Sequence, residues 1–213
     1  MRNYDKLCCF YTNANSIVNK MEEMRKRVKE VGADIAAVTE TWARAGITDA
    51  ELMIEGYNMF RVDRKEKIGG GIILYTRETM EAVLESELTD GVFEEALWCW
   101  VGPENSRLLI GVLYRSPTSS ANNNKQLLEM LRKAVRKVGS GNLLIMGDFN
   151  YPELGKSDGS EHETEESDDE FEEVVADLFL VQHVDDHTRV RQNQRPSRLD
   201  LIYTRWMKTL STI

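Results

Sequence analysis

Residues 142–159 read NLLIMGDFNYPELGKSDG, and their first nine positions decide the architecture. Leu143 to Met146 form an uninterrupted apolar run of strand length, as expected for a strand covered on both faces. A bare carboxylate is not tolerated inside a sheet, so Asp148 and Asn150 belong where the strand emerges. In α/β folds that carboxyl end is where ligands bind. Strand side chains alternate, which puts Asp148 and Asn150 on one face and Phe149 on the other. A carboxylate and an amide therefore stand together at a pocket rim.

Working outward, the chain supplies the rest of an α/β sandwich. KLCCFYT (6–12) reads as an opening strand ended by the polar cluster NANS. From Val18 to Val31 the apolar residues Val18, Met21, Met24, Val28 and Val31 make a helical stripe closed by Gly32. DIAAVTE (34–40) is a second buried strand, ending in Glu40. YNMFRV, GGIILYT, EAVLES, ALWCWV and RLLIGVLY read as further strands. A second amphipathic helix spans about Asn123 to Val138, and a third lies around Phe171 to Leu178. Short strands near LVQHV and LDLIYT follow. Strands early and late with helices between predict packed sheets carrying helices on their outer faces.

Bulk properties set the frame. A chain of 213 residues, 41% hydrophobic and 30% charged, suits one soluble domain, 1–213. No apolar stretch reaches membrane-span length, and the start MRNYDKLCCFYTNANS lacks a secretory cleavage pattern. The expectation is an intracellular protein, nuclear or cytoplasmic, without membrane attachment. The three cysteines, Cys8, Cys9 and Cys99, lie in strands with no metal-knuckle spacing and read as reduced packing residues. The net charge of −9 looks wrong for a nucleic-acid binder. The distribution of that charge removes the objection. Residues 151–173 hold 11 of the 36 acids and one of the 27 bases, leaving 25 acids against 26 bases elsewhere. Within that segment, 153–170 is poor in apolar residues and is expected to be a disordered acidic loop.

Several strands end as the first one does: Asn13 and Asn15, then Glu40, Tyr114 with Arg115, Asp148 with Asn150, and Ser197 with Asp200. Together these residue types suit metal-assisted cleavage of a phosphate ester. A hard divalent ion takes one or two carboxylates and keeps several waters, and Glu40 is the best such ligand. A phosphodiester is anionic, so its remaining contacts should be neutral donors, which Asn13, Asn150 and the Tyr114 hydroxyl provide. One further carboxylate must orient or deprotonate the attacking water, and Asp148 is placed for that.

The ordered set YTNANS, VTETW, GGGIILY, LYRSP, GDFN and SRLDLIYT resembles the endonuclease/exonuclease/phosphatase superfamily, over about Lys6 to Thr204. Within it the chain looks most similar to the endonuclease domain of non-LTR retrotransposons, itself related to apurinic endonucleases and DNase I. The resemblance implies a DNase I-like four-layer α/β sandwich and Mg²⁺-dependent nicking of DNA, with Mn²⁺ as the substitute ion. By motif, Asn13 would hold the phosphate or the aspartate network, and Glu40 would bind metal with Asn15 beside it. Tyr114 would touch the scissile phosphate, Asp148 position the water, Asn150 stabilise the phosphate, and Asp200 support the metal site. Ser197, Thr188 and Arg115 would lie on the substrate side. A reverse transcriptase domain is the partner expected in a full-length ancestor.

One expected feature is missing. Members of that superfamily close with a strand followed by an Asp-His pair, whereas this sequence runs out in RWMKTLSTI. The expectation is therefore a fold lacking its last strand, with an impaired site. Two alternatives stay open: a non-catalytic remnant or binding protein, and a superfamily branch acting on other phosphate esters.

Overall fold

The computed structural model describes residues 7–64, 69–91, 93, 95–151, 154, 166–190 and 196–205. Its first sheet has the order β1-β2-β4-β3, formed by β1 (Cys9–Asn13), β2 (Ile35–Thr39), β3 (Tyr57–Val62) and β4 (Ile72–Arg77). β1 and β2 are parallel, and the other pairs are antiparallel. The second sheet has the order β5-β6-β7-β8-β10-β9. Its strands are β5 (Ala82–Leu84), β6 (Ala96–Val101), β7 (Leu108–Tyr114), β8 (Asn142–Asp148), β9 (Val181–Gln182) and β10 (Asp200–Arg205). Here only β7 and β8 run parallel, joined by the crossover helix α4 (Ala121–Val138).

Three apolar layers explain why the strands read as continuous runs. In β2, Ile35 and Ala37 face the second sheet, while Ala36 and Val38 face α1 (Met21–Val31). In β8, Leu144 and Met146 face the first sheet, and Leu143 and Ile145 pack under α4 and α5 (Glu166–Asp177). Helix, sheet, sheet and helix thus make the four-layer α/β sandwich that the pattern predicts. No helix among the described residues is long and apolar enough to cross a membrane.

Boundaries differ from expectation for local reasons. The first turn of the early helix, Val18–Lys20, is 3₁₀, and the α-helix starts at Met21. It ends where Gly32, at φ +66°, donates its N–H to the Lys29 and Val28 carbonyls. Helix α4 starts two residues earlier than the apolar stripe indicates, because Ser120 Oγ accepts from Asn123 N at 3.2 Å. Two four-residue helices, α2 (Asp49–Leu52) and α3 (Ser86–Thr89), are too short to show a stripe. Helix α5 begins at Glu166, inside the segment expected to be a loop, and buries Asp168. Residues 155–165, which include His162, and the closing residues 206–213 lie outside the described residues.

Gly147 is where the strand bearing Asp148 meets its parallel neighbour most tightly. A Cβ there would lie 2.0 Å from the Leu113 carbonyl oxygen, a backbone atom that cannot swing aside. Gly147→Ala is expected to cost about 2–3 kcal/mol of stability, read as a lower urea midpoint at constant slope. An unchanged midpoint would mean that the β7–β8 ladder yields.

Candidate active site

The layer between the sheets is apolar along most of its length and turns polar at one end. Ile110 and Val112 are followed on the same face of β7 by Tyr114, and Leu144 and Met146 on β8 by Asp148. Tyr11 and Asn13 occupy that face at the end of β1, and Asp200 and Ile202 occupy it on β10. Parallel pairing puts Tyr114 beside Asp148, and antiparallel pairing sets Asp200 directly opposite Asp148.

Hydrogen bonds tie this end together. Asn13 Nδ2 donates to Asp148 Oδ2 at 2.8 Å, crossing from one sheet to the other. Asp148 Oδ1 accepts from Asn150 N at 3.2 Å. Burial and the neighbouring Asp200 push the Asp148 carboxyl up to about 7, although the bonds from Asn13 and Asn150 favour its charged form. Asp200 is also raised, by burial, against donors from Thr188 and Tyr11. Burial and the nearby Glu40 carboxylate raise the Tyr114 pKa far enough to keep its hydroxyl protonated.

Glu40 sits just past β2 at φ +53°, and Trp42 follows at +54°. Asn15 and Asn150 adopt φ +42° and +47°. Asparagine tolerates this region, whereas glutamate and tryptophan rarely enter it. Such strain concentrates at functional sites. The loop is held by Ser16 N donating to the Glu40 carbonyl at 2.8 Å and Trp42 N to the Gly70 carbonyl at 2.9 Å. The Glu40 carboxylate accepts from the Trp42 indole N–H and from Gly70 N. Gly70, at φ +66°, favours glycine, and a Cβ there would push against the Glu95 and Arg64 side chains, at 2.1 Å from Glu95 Oε1 and 2.7 Å from Arg64 Nε.

The residues singled out from sequence divide into two groups. Asn13, Glu40, Tyr114, Asp148, Asn150 and Asp200 meet through the contacts above. Asn15 is exposed on the adjoining loop, its N–H donating to Asn13 Oδ1 at 3.1 Å. The others are turned to structural tasks. Thr188 Oγ1 accepts from Leu199 N and Asp200 N at 3.0 and 3.1 Å, so it fixes the start of β10. Ser197 is buried in a backbone bridge with Arg189. Arg115 is only 5% exposed, and its guanidinium donates to Asn124 Oδ1 and to the carbonyls of Phe149 and Asn150. His183 is hydrogen-bonded to Thr204, and His187 is exposed.

Sequence reading missed four neighbours. Tyr11 bonds Asp200, Trp42 bonds Glu40, and the Arg64–Glu95 ion pair packs beside Glu40 with Arg64 over the Tyr114 ring. Tyr11 was legible in principle, being two residues before Asn13 on the same strand face.

A divalent ion can be tested against these residues. An ionised carboxylate offers about four acceptor positions, and the half-buried Glu40 carboxylate accepts from Trp42 and Gly70, so acceptor capacity remains for a metal. Among the described residues no group of three or more His, Cys, Asp or Glu could cage an ion. A single carboxylate suits Mg²⁺, which keeps most of its water. The site therefore fits a hydrated Mg²⁺ and not a dehydrated, fully protein-bound one.

Two packed mixed sheets flanked by helices, with polar strand ends meeting at one end of the layer between them, define a DNase I-like fold. Solved structures share it. The endonuclease domain of TRAS1, a telomere-specific non-LTR retrotransposon, matches with a TM-score of 0.68 at 16% identity, covering 93% of this chain and 84% of that one. An AP endonuclease from Archaeoglobus fulgidus gives 0.65 at 16% identity, covering 93% and 86%. The 3′ phosphatase NExo from Neisseria, bound to a product DNA hairpin, gives 0.64 at 16% identity, with the same coverage. Residues 108–209 match the family described as endonuclease-reverse transcriptase. No curated protein sequence matches the chain significantly. The structural matches show a shared DNase I-like fold, and the family match covers just under half of the chain.

Proposed function

We propose that this protein is a Mg²⁺-dependent phosphodiesterase that nicks DNA, of the retrotransposon endonuclease type. One observation supports the reading above all: the Asn13–Asp148 hydrogen bond and the pairing of Tyr114 with Asp148, with Glu40 close to Tyr114, bring a candidate general base, a candidate metal-binding carboxylate and neutral donors to one end of the inter-sheet layer. Asp148, with its pKa near neutrality, takes the proton from the attacking water. Asn13 holds the Asp148 carboxylate in place. The Asn150 amide donates to phosphate oxygens as charge develops there, and the Tyr114 hydroxyl turns its one proton from Glu40 to the phosphate. Glu40, with Asn15 beside it, would hold Mg²⁺, which when bound neutralises phosphate charge and stabilises the leaving oxygen.

A non-catalytic DNA-binding role is the competing reading. Incubation of the chain with supercoiled plasmid and Mg²⁺ should yield open circles, and EDTA should suppress them. Glu40→Gln should raise the Mg²⁺ concentration needed for half-maximal rate at least tenfold. DNA binding without nicking at any Mg²⁺ or Mn²⁺ concentration would establish the competing reading. Hydrolysis of bis(p-nitrophenyl) phosphate with intact plasmid would instead point to a different phosphodiester substrate.

A further inference from the structure

We infer that Tyr11 is a positioning residue for the hydrolytic centre: its hydroxyl straps Asp200 of one sheet to Thr39 of the other and so fixes the geometry in which Asp148 works. The inference rests on the phosphodiesterase reading above and deepens it.

Tyr11 and Asn13 are two residues apart on β1 and reach across the gap between the sheets in parallel. Asn13 takes Asp148 at 2.8 Å, and Tyr11 takes Asp200 Oδ1 at 3.0 Å. The Tyr11 oxygen also lies 2.7 Å from Thr39 Oγ1. A phenol has one proton, and Asp200 as a carboxylate can only accept, so Thr39 donates to Tyr11 and Tyr11 donates to Asp200. Burial raises the Tyr11 pKa well above its ordinary value, which keeps that proton on the phenol. The result is a directed chain from the buried end of β2 to the first residue of β10.

This chain matters because Asp148 and Asp200 are opposite one another in the antiparallel ladder and share a face. Directly opposed like charges repel, so each needs its own donors to stay in place. Asp148 has Asn13 and Asn150; Asp200 has Tyr11 and Thr188. Remove the Tyr11 proton and Asp200 is free to turn toward Asp148 and disturb the Asn13 bond. The Tyr11 ring also packs against the inter-sheet core, so phenylalanine keeps the packing and deletes only the donor.

The test uses Tyr11→Phe, with supercoiled plasmid and Mg²⁺ as probe. The expected result is a fall in kcat on the order of ten- to a hundredfold, the usual cost of a misplaced catalytic group. KM should be unchanged, and thermal unfolding within a few degrees of wild type. In an Asp200→Ala background the same substitution should change kcat by less than about twofold, because Tyr11 acts through that carboxylate. Thr39→Val, which leaves the phenol but frees it to rotate, should give a smaller kcat loss in the same direction. It decides the matter if Tyr11→Phe fails to fold. A wild type that cleaves, with Tyr11→Phe and Thr39→Val both at wild-type kcat, would overturn this inference alone. Equal losses from Tyr11→Phe in both backgrounds would also overturn it. A wild type with no cleavage would overturn the functional reading and this inference with it.

Discussion

Asp148→Asn is expected to lower DNA nicking by on the order of 10²–10⁴, leaving only background open circles in an overnight plasmid assay. The substitution keeps the side chain's size and removes its ability to take a proton. Its rate effect also carries a pH signature. The base must be ionised, and its pKa lies at about 7, so wild-type kcat/KM should fall tenfold per pH unit below that value. Stability should move the other way. The folded-state pKa of Asp148 is raised above the ordinary aspartate value of 3.8, so the folded protein binds that proton more tightly than the unfolded chain. Its contribution to stability is full below about pH 4 and is lost as pH rises through about 7. The wild type should therefore lose urea resistance across that window, while Asp148→Asn shows a flatter profile. Identical profiles for the two proteins would show that Asp148 is not the titrating group. Undiminished nicking by the variant would remove it from the mechanism.

The placement of this carboxylate was half legible from sequence. NLLIMGDFN announced a doubly buried strand with a carboxylate at its exit, because burial on both faces needs an unbroken apolar run. The exits of β1, β2 and β7 read the same way. Linear reading could not show that these exits belong to two sheets and meet across the layer between them. The Asn13–Asp148 bond joins residues 135 apart in the chain. Tyr11 was passed over because an aromatic near a strand end looks the same whether it fills a core or bonds an acid. The left-handed backbone at Glu40 and Trp42 has no sequence signature at all, since neither residue type favours it. Some misses were avoidable. Thr48 and Glu51 spell a capping box, which would have located α2.

Arg115 shows how residue type alone misleads, and its replacement carries the second large effect. An arginine at a strand exit beside a tyrosine invites a phosphate-binding role. Its guanidinium is instead buried, 2.9 Å from Asn124 Oδ1 and 2.7 Å from the Asn150 carbonyl, with its centre 3.8 Å above the Tyr151 ring. Its own carbonyl accepts from Asn150 Nδ2 at 2.8 Å, and its N–H donates to the Asp148 carbonyl at 2.9 Å. The loop that carries Asp148 and Asn150 is thus wrapped around this side chain. Arg115→Ala would leave buried carbonyls and an amide without donors, at a cost of about 3 kcal/mol or more in total. Arg115→Lys should recover little, because a single ammonium cannot reproduce a planar fork that also stacks on an aromatic ring. Kinetics distinguish scaffold from substrate contact. A guanidinium that gripped DNA phosphate would, on replacement by lysine, raise KM and leave kcat nearly intact. The buried fork predicts the reverse: the folded fraction of Arg115→Lys should hold KM near wild type while kcat drops at least tenfold, because Asp148 and Asn150 lose the loop geometry that aims them.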